Sequence, residues 1–286
     1  MTSIALRVLL TNYCPESCRH CSFSRVHSDN SEELDPLLLA KCVELISNDH
    51  ANKITVVLTG GEPTAAKNFI PVMNQLNDSR ISKLMLATNG IALYRQKDLF
   101  KSVKKFCPDT ISLSMETTKE DHDLLRGGAG ASGNHQLVSE LLKKVKDEMA
   151  ETETSINSVV FAENLQKVTG FLHGFRQNRL LWKHLDFVRL MRFRRETPSI
   201  NAAGISEITD DQWTEFQQLI KNDESLKDFN GRYKVYFLDK SHEKRLAIAI
   251  SPPNKLTISN SNLDQQFVDQ FIEVARDCFD VIVEND

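Results

Sequence analysis

The sequence predicts an α/β fold in which short strands alternate with helices around a parallel sheet. Two observations carry this prediction. Six short runs rich in apolar residues recur along the first two thirds of the 286-residue chain, and segments with helical spacing separate them. Polar or glycine-rich motifs follow five of these runs, at the carboxyl ends of the strands, where ligands bind on parallel sheets.

The individual elements follow from local signals. Strands are predicted over residues 4–10, 54–58, 84–87, 110–115, 156–161 and 187–193. A helix is predicted to begin at Pro36, where Asp35 can cap the first turn, and further helices over 68–76, 93–106, 135–149 and 164–176. Strands and helices in this order favour a parallel sheet with right-handed crossovers.

After residue 195 the pattern changes. A capping box over residues 209–212 predicts a helix over 213–221. Short strands are expected over 233–238, 246–250 and 256–258, and a closing helix over 263–279. We therefore divide the chain into a core, residues 1–196, and a small α+β extension, residues 197–286.

The composition argues against several classes of protein. The chain has 41% apolar residues, 26% charged residues and a formal charge of −4, which gives no general attraction to nucleic acid or anionic membranes. No apolar run approaches the roughly 20 residues that span a bilayer, and the amino terminus does not have the pattern of a secretory signal. We expect a cytoplasmic protein with neither a membrane nor a nucleic-acid partner.

Three of the six cysteines form a C-x3-C-x2-C motif directly after the first predicted strand. Cys14, Cys18 and Cys21 lie within eight residues, so their thiolates can converge on one soft metal centre. A structural zinc site would need a fourth ligand at a comparable spacing, and no second C-x2-C or C-x2-H pair follows. The motif therefore favours a cluster with one metal open to another molecule.

This spacing resembles that of the radical SAM enzymes. In that family three such cysteines bind three irons of a 4Fe–4S cluster, and S-adenosylmethionine (SAM) chelates the fourth iron. The residue before the third cysteine is usually aromatic in the family, and here it is His20. The resemblance covers residues 4–195 and implies a partial (β/α)6 barrel, followed in this chain by the small C-terminal α+β extension.

The motif Gly60-Gly61-Glu62-Pro63 matches the GGE motif of the family without departure. There the glycines let the backbone approach the methionine part of SAM, and a carboxylate can accept hydrogen bonds from its ammonium group. The alternative interpretation is an ordinary strand-to-helix turn.

Two later segments resemble other cofactor contacts of the family. Thr88 and Asn89 correspond to the polar end of the third strand, although a plain Asn-Gly turn has the same sequence. Ser114 and Glu116 alternate at the end of the fourth strand and so share a face. Polar side chains on one face suit a polar ligand better than a dry core.

Single residues complete the predicted site. Arg126 could hold the carboxylate of SAM, or lie on the surface. Met191 falls where the sixth strand of the family meets adenine, and could equally belong to the core. Asn157 is a weaker candidate for a polar contact with the substrate. Arg192 and Arg194 would favour an anionic substrate if they point into the barrel mouth, and would be solvated if they point outward.

The resemblance implies an enzyme with SAM and a single 4Fe–4S cluster as cofactors, since residues 197–286 contain only Cys278 and no auxiliary cluster is expected. An external flavodoxin- or ferredoxin-type reductant would supply one electron. SAM would be cleaved to a 5′-deoxyadenosyl radical that abstracts hydrogen from a small polar substrate in a biosynthetic pathway. The order of motifs is most similar to the branch containing the molybdenum-cofactor GTP cyclase and viperin.

Three alternatives remain open at this point. One is a nucleotide dehydratase like viperin, and a second is a peptide-modifying enzyme with a separate leader-binding partner. The third is a non-catalytic iron–sulfur binding or sensing protein.

Overall fold

The computed structural model describes most of the chain, in segments. These are residues 3–21, 31–47, 53–116, 118–127, 133–177, 183–193, 205–227, 235–238, 247–252, 255–260, 273, 275–276 and 280–285. The strands are β1 (Ser3–Leu9), β2 (Lys53–Thr59), β3 (Ile81–Thr88), β4 (Thr110–Ser114), β5 (Glu153–Val160), β6 (Phe187–Arg192), β7 (Val235–Leu238), β8 (Ala247–Ser251), β9 (Lys255–Asn260) and β10 (Asp280–Asn285). The helices are α1 (Pro36–Ser47), α2 (Phe69–Leu76), α3 (Ile91–Arg95), α4 (Lys97–Phe106), α5 (Lys119–Arg126), α6 (Asn134–Glu148), α7 (Leu165–Gln177) and α8 (Asp210–Asn222).

All ten strands belong to one sheet, in the order β10-β9-β8-β1-β2-β3-β4-β5-β6-β7. The six predicted strands are β1 to β6, which lie side by side in chain order with every pair parallel. The predicted α/β fold with a mostly parallel sheet is therefore confirmed. Among the described residues, no helix combines the length and apolar character needed to cross a membrane.

The carboxyl-terminal third of the chain extends the same sheet at both edges. After α8, strand β7 pairs in parallel with β6, and β8 pairs in parallel with β1. Strand β9 is antiparallel to β8, and β10 is parallel to β9. The alternation of strand and helix thus continues past β6, and the division of the chain at residue 196 stays a prediction.

The structure differs from the predicted elements at three places. The helix expected over 93–106 is divided into α3 and α4, because Gln96 has an extended backbone (φ −103°, ψ 100°). Helix α5 was not predicted, since its eight residues are mostly charged and give little apolar periodicity. The predicted closing helix lies almost wholly outside the described residues, and β10, which follows it, was not predicted.

The two faces of the sheet have different chemistry. On one face, Leu6 and Leu113 are completely buried and join a single core with the apolar sides of the helices. On the other face, Ser114, Asn157 and Arg189 lie in register across β4, β5 and β6, and each is partly exposed. Since the helices cover the first face, the second is the interior of the partial barrel, and polar side chains line it at β4, β5 and β6.

Candidate functional site

The three motif cysteines lie on the loop after β1, at the carboxyl edge of the sheet. Cys14 and Cys18 are buried, and Cys21 is partly exposed. Burial raises the pKa of Cys14, as does the nearby Glu62, and burial raises the pKa of Cys18 to about 12. A metal centre reverses such a shift because it deprotonates its thiol ligands. The raised pKa values are therefore compatible with metal binding.

The arrangement of the cysteines also bears on the kind of metal centre. In the described part of the chain, no three side chains of His, Cys, Asp or Glu form a group that could hold one metal ion. An iron–sulfur cluster makes a different demand, because each thiolate binds its own iron. Three soft thiols on one loop fit a cluster by the chemistry of the donors.

The glycine turn after β2 packs directly on the cysteine loop. The backbone N–H groups of Gly61 and Glu62 donate to the carbonyls of Thr11 and Tyr13, at 2.6 and 2.7 Å. A Cβ at Gly61 would lie only 2.0 Å from the Tyr13 oxygen, and Gly60 has a φ of +129°, which side chains rarely adopt. Contact with the cysteine loop therefore accounts for both glycines.

The Glu62 carboxylate is buried, and the predicted residues Thr88 and Asn89 are among its hydrogen-bond donors. It accepts hydrogen bonds from the N–H and hydroxyl of Thr64 (3.0 and 2.5 Å), the hydroxyl of Thr88 (2.5 Å) and the N–H of Asn89 (2.7 Å). Pro63 begins the short 3-10 helix that Glu62 caps. Burial raises the pKa of Glu62, and these donors oppose the rise. The Asn89 Nδ2 atom is buried without a hydrogen-bond partner in the described structure.

A network of buried charges lies on the other side of the cysteine loop. Arg126 Nη1 lies 3.1 Å from Glu16 Oε2 and 3.9 Å from Cys18 Sγ, and Arg126 Nη2 lies 2.7 Å from Glu116 Oε1. Burial alone would lower the pKa of Arg126, but the negative charges of Cys18, Glu116 and Glu16 reverse this and raise it. Sequence analysis missed Glu16, and its place between two motif cysteines was the available signal.

Glu116 is completely buried and connects several segments. Its carboxylate also accepts from the N–H of Val159 (2.9 Å) and the hydroxyl of Ser158 (3.3 Å), and it lies 3.4 Å from His20 Nε2. Its own N–H donates to His122 Nδ1 at 2.9 Å. Burial lowers the pKa of His122 to about 2, so this imidazole is neutral. Predicted residues Glu116 and His20 thus stand together beside the cysteine motif.

The cysteine loop is also hydrogen-bonded to the ends of two helices. The N–H groups of Ser17 and Arg19 donate to the carbonyls of Arg126 and Leu125 at the end of α5, both at 2.9 Å. The final carbonyls of a helix have no partner within the helix, so these contacts satisfy them. At the start of α6, the Asn134 amide donates to the Glu16 carboxylate at 2.8 Å. The loop is therefore held by residues more than 100 positions away in the chain.

The barrel interior below this edge carries the remaining predicted residues. Ser114, Asn157 and Met191 are partly exposed on the interior face. The Oδ1 atom of Asn157 is buried and has no hydrogen-bond partner in the described structure. The guanidinium of Arg189 reaches across from β6 and donates to the Ser112 hydroxyl on β4 at 3.1 Å.

The structure places the side chain of Arg192 against the start of α8. Its Nη1 atom lies 2.7 Å from Asp210 Oδ1 at the start of α8, and its side chain is only 4% exposed. Neighbouring residues of a strand face opposite sides, so Arg192 does not share the interior face of Met191. Arg194 lies outside the described residues. Arg189, two positions before Met191, is the β6 arginine on the interior face, and strand alternation pairs it with Met191.

Comparisons with known proteins agree with this arrangement. The model of the radical SAM superfamily matches residues 8–173. A probable GTP 3′,8-cyclase of Methanocaldococcus jannaschii is 23% identical over 186 residues, which cover 65% of this chain and 59% of the relative. The chain therefore matches well under two thirds of the length of that relative.

Solved structures show the same fold. SuiB of Streptococcus suis bound to S-adenosylmethionine superposes with a TM-score of 0.67 at 13% identity, covering 89% of this chain and 60% of SuiB. The structure of SuiB bound to its precursor peptide SuiA gives a TM-score of 0.68 at 14% identity, with 89% and 59% covered. At such identities the likeness concerns the fold alone.

Proposed function

This chain belongs to the radical SAM superfamily, and on that premise we propose that it is an enzyme that cleaves SAM reductively and removes hydrogen from a small polar substrate. Cys14, Cys18 and Cys21 hold a single 4Fe–4S cluster. The observation that carries the proposal is their position at the carboxyl edge of the sheet, between the glycine turn and Arg126.

The cofactors supply the radical chemistry, and the protein binds and orients them. When bound, the cluster and SAM would supply reductive radical chemistry, with one electron from a flavodoxin- or ferredoxin-type donor. Glu62 accepts from the ammonium group of SAM, in the polar pocket formed with Thr88 and Asn89. Met191 lies near the end of β6, the strand at which the family resemblance leads us to expect adenine.

Two buried donors support a bound carboxylate. Asn89 Nδ2 and Arg126 Nε are buried and have no hydrogen-bond partner in the described structure. An unsatisfied buried donor costs about 1–3 kcal/mol, so native proteins rarely leave one unless a ligand or water completes it. The carboxylate of SAM would satisfy Arg126 Nε, which is the role assigned to Arg126, and another polar group of SAM would satisfy Asn89 Nδ2.

The substrate is expected in the barrel interior. Ser114, Asn157 and Arg189 give this face hydroxyl, amide and cationic groups in register, which suit a small polar or anionic molecule better than an apolar one. The curated relative is named a GTP 3′,8-cyclase, which favours a nucleotide or similar biosynthetic intermediate. A peptide substrate is the second candidate, since SuiB, which superposes on this chain, is solved with a precursor peptide.

The proposal is tested by anaerobic reconstitution with iron and sulfide, followed by reduction in the presence of SAM. We expect about four irons per chain and formation of 5′-deoxyadenosine. Cys18→Ala should abolish both, whereas Cys107→Ala, which removes an exposed cysteine after α4, should change neither.

A loaded cluster that yields no 5′-deoxyadenosine would support the non-catalytic alternative. A zinc centre with four sulfur ligands in anaerobically purified protein would contradict the proposal altogether. Transfer of deuterium from a candidate substrate into 5′-deoxyadenosine would identify that substrate.

A further inference from the structure

We propose that Glu16 and Arg126 set the reduction potential of the cluster through the ligand Cys18. Glu16 acts by its charge, and Arg126 acts by its charge and its hydrogen bond to sulfur. Neither residue is a cluster ligand. This inference rests on the cluster assigned under the proposed function.

The geometry places opposite charges beside one ligand sulfur. Cys18 Sγ lies 3.7 Å from Glu16 Oε2 and 3.9 Å from Arg126 Nη1. Glu116 binds the other nitrogen of the guanidinium, Nη2, on the side away from this contact. Glu16 contacts the sulfur directly, whereas Glu116 contacts the guanidinium, so we expect Glu16 to have the larger influence on the sulfur.

Burial makes these charges effective. Arg126 is 5% exposed, Glu16 is 1% exposed and Glu116 is completely buried. Coulomb energies rise as the local dielectric falls, so charges at such distances act more strongly here than they would in water. Hydrogen bonds to the sulfurs, net charge and solvent exposure are the features by which proteins set the potentials of iron–sulfur clusters.

The sign of each contribution follows from the charge of the reduced cluster. Reduction adds one electron, so a nearby carboxylate disfavours the reduced state and a nearby guanidinium favours it. The carboxylate of Glu16 therefore acts to keep the potential low, and the guanidinium of Arg126 acts in the opposite direction. A low potential makes the reduced cluster a strong reductant, as the reductive cleavage of SAM requires.

A structural role alone does not account for the buried contacts of Arg126 with Glu16 and Glu116. Taking two carboxylates and a guanidinium out of water carries a desolvation cost that their attraction often only balances, and apolar replacements are frequently as stable. Backbone hydrogen bonds from Ser17 and Arg19 already fix the loop on α5. The buried carboxylate of Glu16 is therefore placed where its charge reaches the sulfur.

The test is a redox titration of the reconstituted protein without SAM, followed by electron paramagnetic resonance. Titanium(III) citrate gives one electron to the cluster, which passes from the 2+ to the 1+ state while titanium becomes titanium(IV). Glu16→Gln should raise the ratio of reduced to oxidised cluster at a fixed solution potential about tenfold, equal to about 59 mV for a one-electron couple. Glu116→Gln should raise it less.

Two further variants separate charge from shape. Glu16→Asp keeps the negative charge and shortens the side chain, so its potential should stay close to that of the unmodified protein. Glu148→Gln is the matched control, because Glu148 is a surface residue paired with Lys104, and it should leave the potential unchanged. In Glu16→Gln, Asn134 can rotate its amide so that its Oδ1 atom, now unpartnered, accepts from the new amide group.

The outcomes distinguish this inference from the proposed function. If Glu16→Gln and Glu16→Asp shift the potential equally, loop geometry is responsible and the inference is overturned. A cluster that loads normally but keeps the same potential in both Gln variants also overturns it, and leaves the proposed function intact. If Glu16→Gln does not load, Arg126→Gln decides: loss of the guanidinium charge should lower the potential, and an unchanged potential would overturn the inference. Failure of the unmodified protein to bind any cluster would overturn both.

Discussion

Replacing Gly61 with alanine should separate the glycine turn from the cysteine loop. The added Cβ would lie 2.0 Å from the carbonyl oxygen of Tyr13 and 2.6 Å from its carbon, where ordinary contacts are 3.4 Å or more. Both groups are backbone, so no side chain can rotate away, and the segments must part by more than about 1 Å. That movement breaks the hydrogen bonds that Gly61 and Glu62 donate to the loop.

The expected loss follows from those two bonds. Each buried backbone hydrogen bond contributes about 1 kcal/mol, and leaving its groups unsatisfied costs about 1–3 kcal/mol. We therefore expect Gly61→Ala to lower the free energy of unfolding by about 2–4 kcal/mol and to reduce iron uptake, because the turn supports the segment that leads into Cys14. Urea unfolding and iron content of the reconstituted protein measure the two effects.

Gly170→Ala provides a matched control for the same chemical change. Gly170 lies in α7, and no atom is within 4 Å of the position its Cβ would take. Alanine is a better helix former than glycine by about 0.8–1 kcal/mol, so this variant should be slightly more stable. If Gly61→Ala unfolded at the same urea concentration as the unmodified protein and bound as much iron, the close packing of the turn on the loop would be refuted.

Two further predictions concern residues around this site. Burial lowers the pKa of His122 to about 2 from an ordinary 6.5. The folded protein keeps this imidazole neutral while the unfolded chain protonates it, so the free energy of unfolding falls as the pH drops below 6.5 toward 2. From pH 7 to pH 5 the free energy of unfolding should fall by about 2 kcal/mol. Urea unfolding at both pH values should show this decrease in the unmodified protein and not in His122→Asn. An equal decrease in the two proteins would contradict the assignment of His122 as a buried neutral imidazole. Arg192→Gln should lower the free energy of unfolding by about 1–2 kcal/mol, because it removes the ion pair to Asp210, and should leave SAM cleavage unchanged. If the variant had normal stability but did not cleave SAM, the result would instead favour a functional role for Arg192 at the barrel mouth.

Local patterns were sufficient for the order of elements and for the main motifs. Strand and helix periodicities, together with glycine and proline signals, depend on neighbouring residues, so β1 to β6 were found from the sequence alone. Elements with weak local patterns were not found. Helix α5 is short and highly charged, and β10 follows a segment that has helical spacing.

The direction of side chains was predictable in part. Alternation along a strand places Met191 and Arg189 on one face and Arg192 on the other. Sequence analysis placed Met191 and Arg192 in the same site, which alternation disfavours while both remain in the strand. The choice of face still required the structure, because a sequence of mixed polar residues does not say which side the helices cover.

The sequence by itself determined that three cysteines stand at the end of the first strand, that a glycine turn with a carboxylate follows the second, and that a parallel sheet brings such strand ends together. Only the tertiary structure decided that Glu16 meets Arg126 across 110 positions of the chain, that Glu62 binds Thr88, and that the glycines are required by the backbone of the cysteine loop. The reason is physical: periodicity and turn chemistry act between residues near in sequence, whereas the partners of a buried charge depend on the distant segments that packing places beside it.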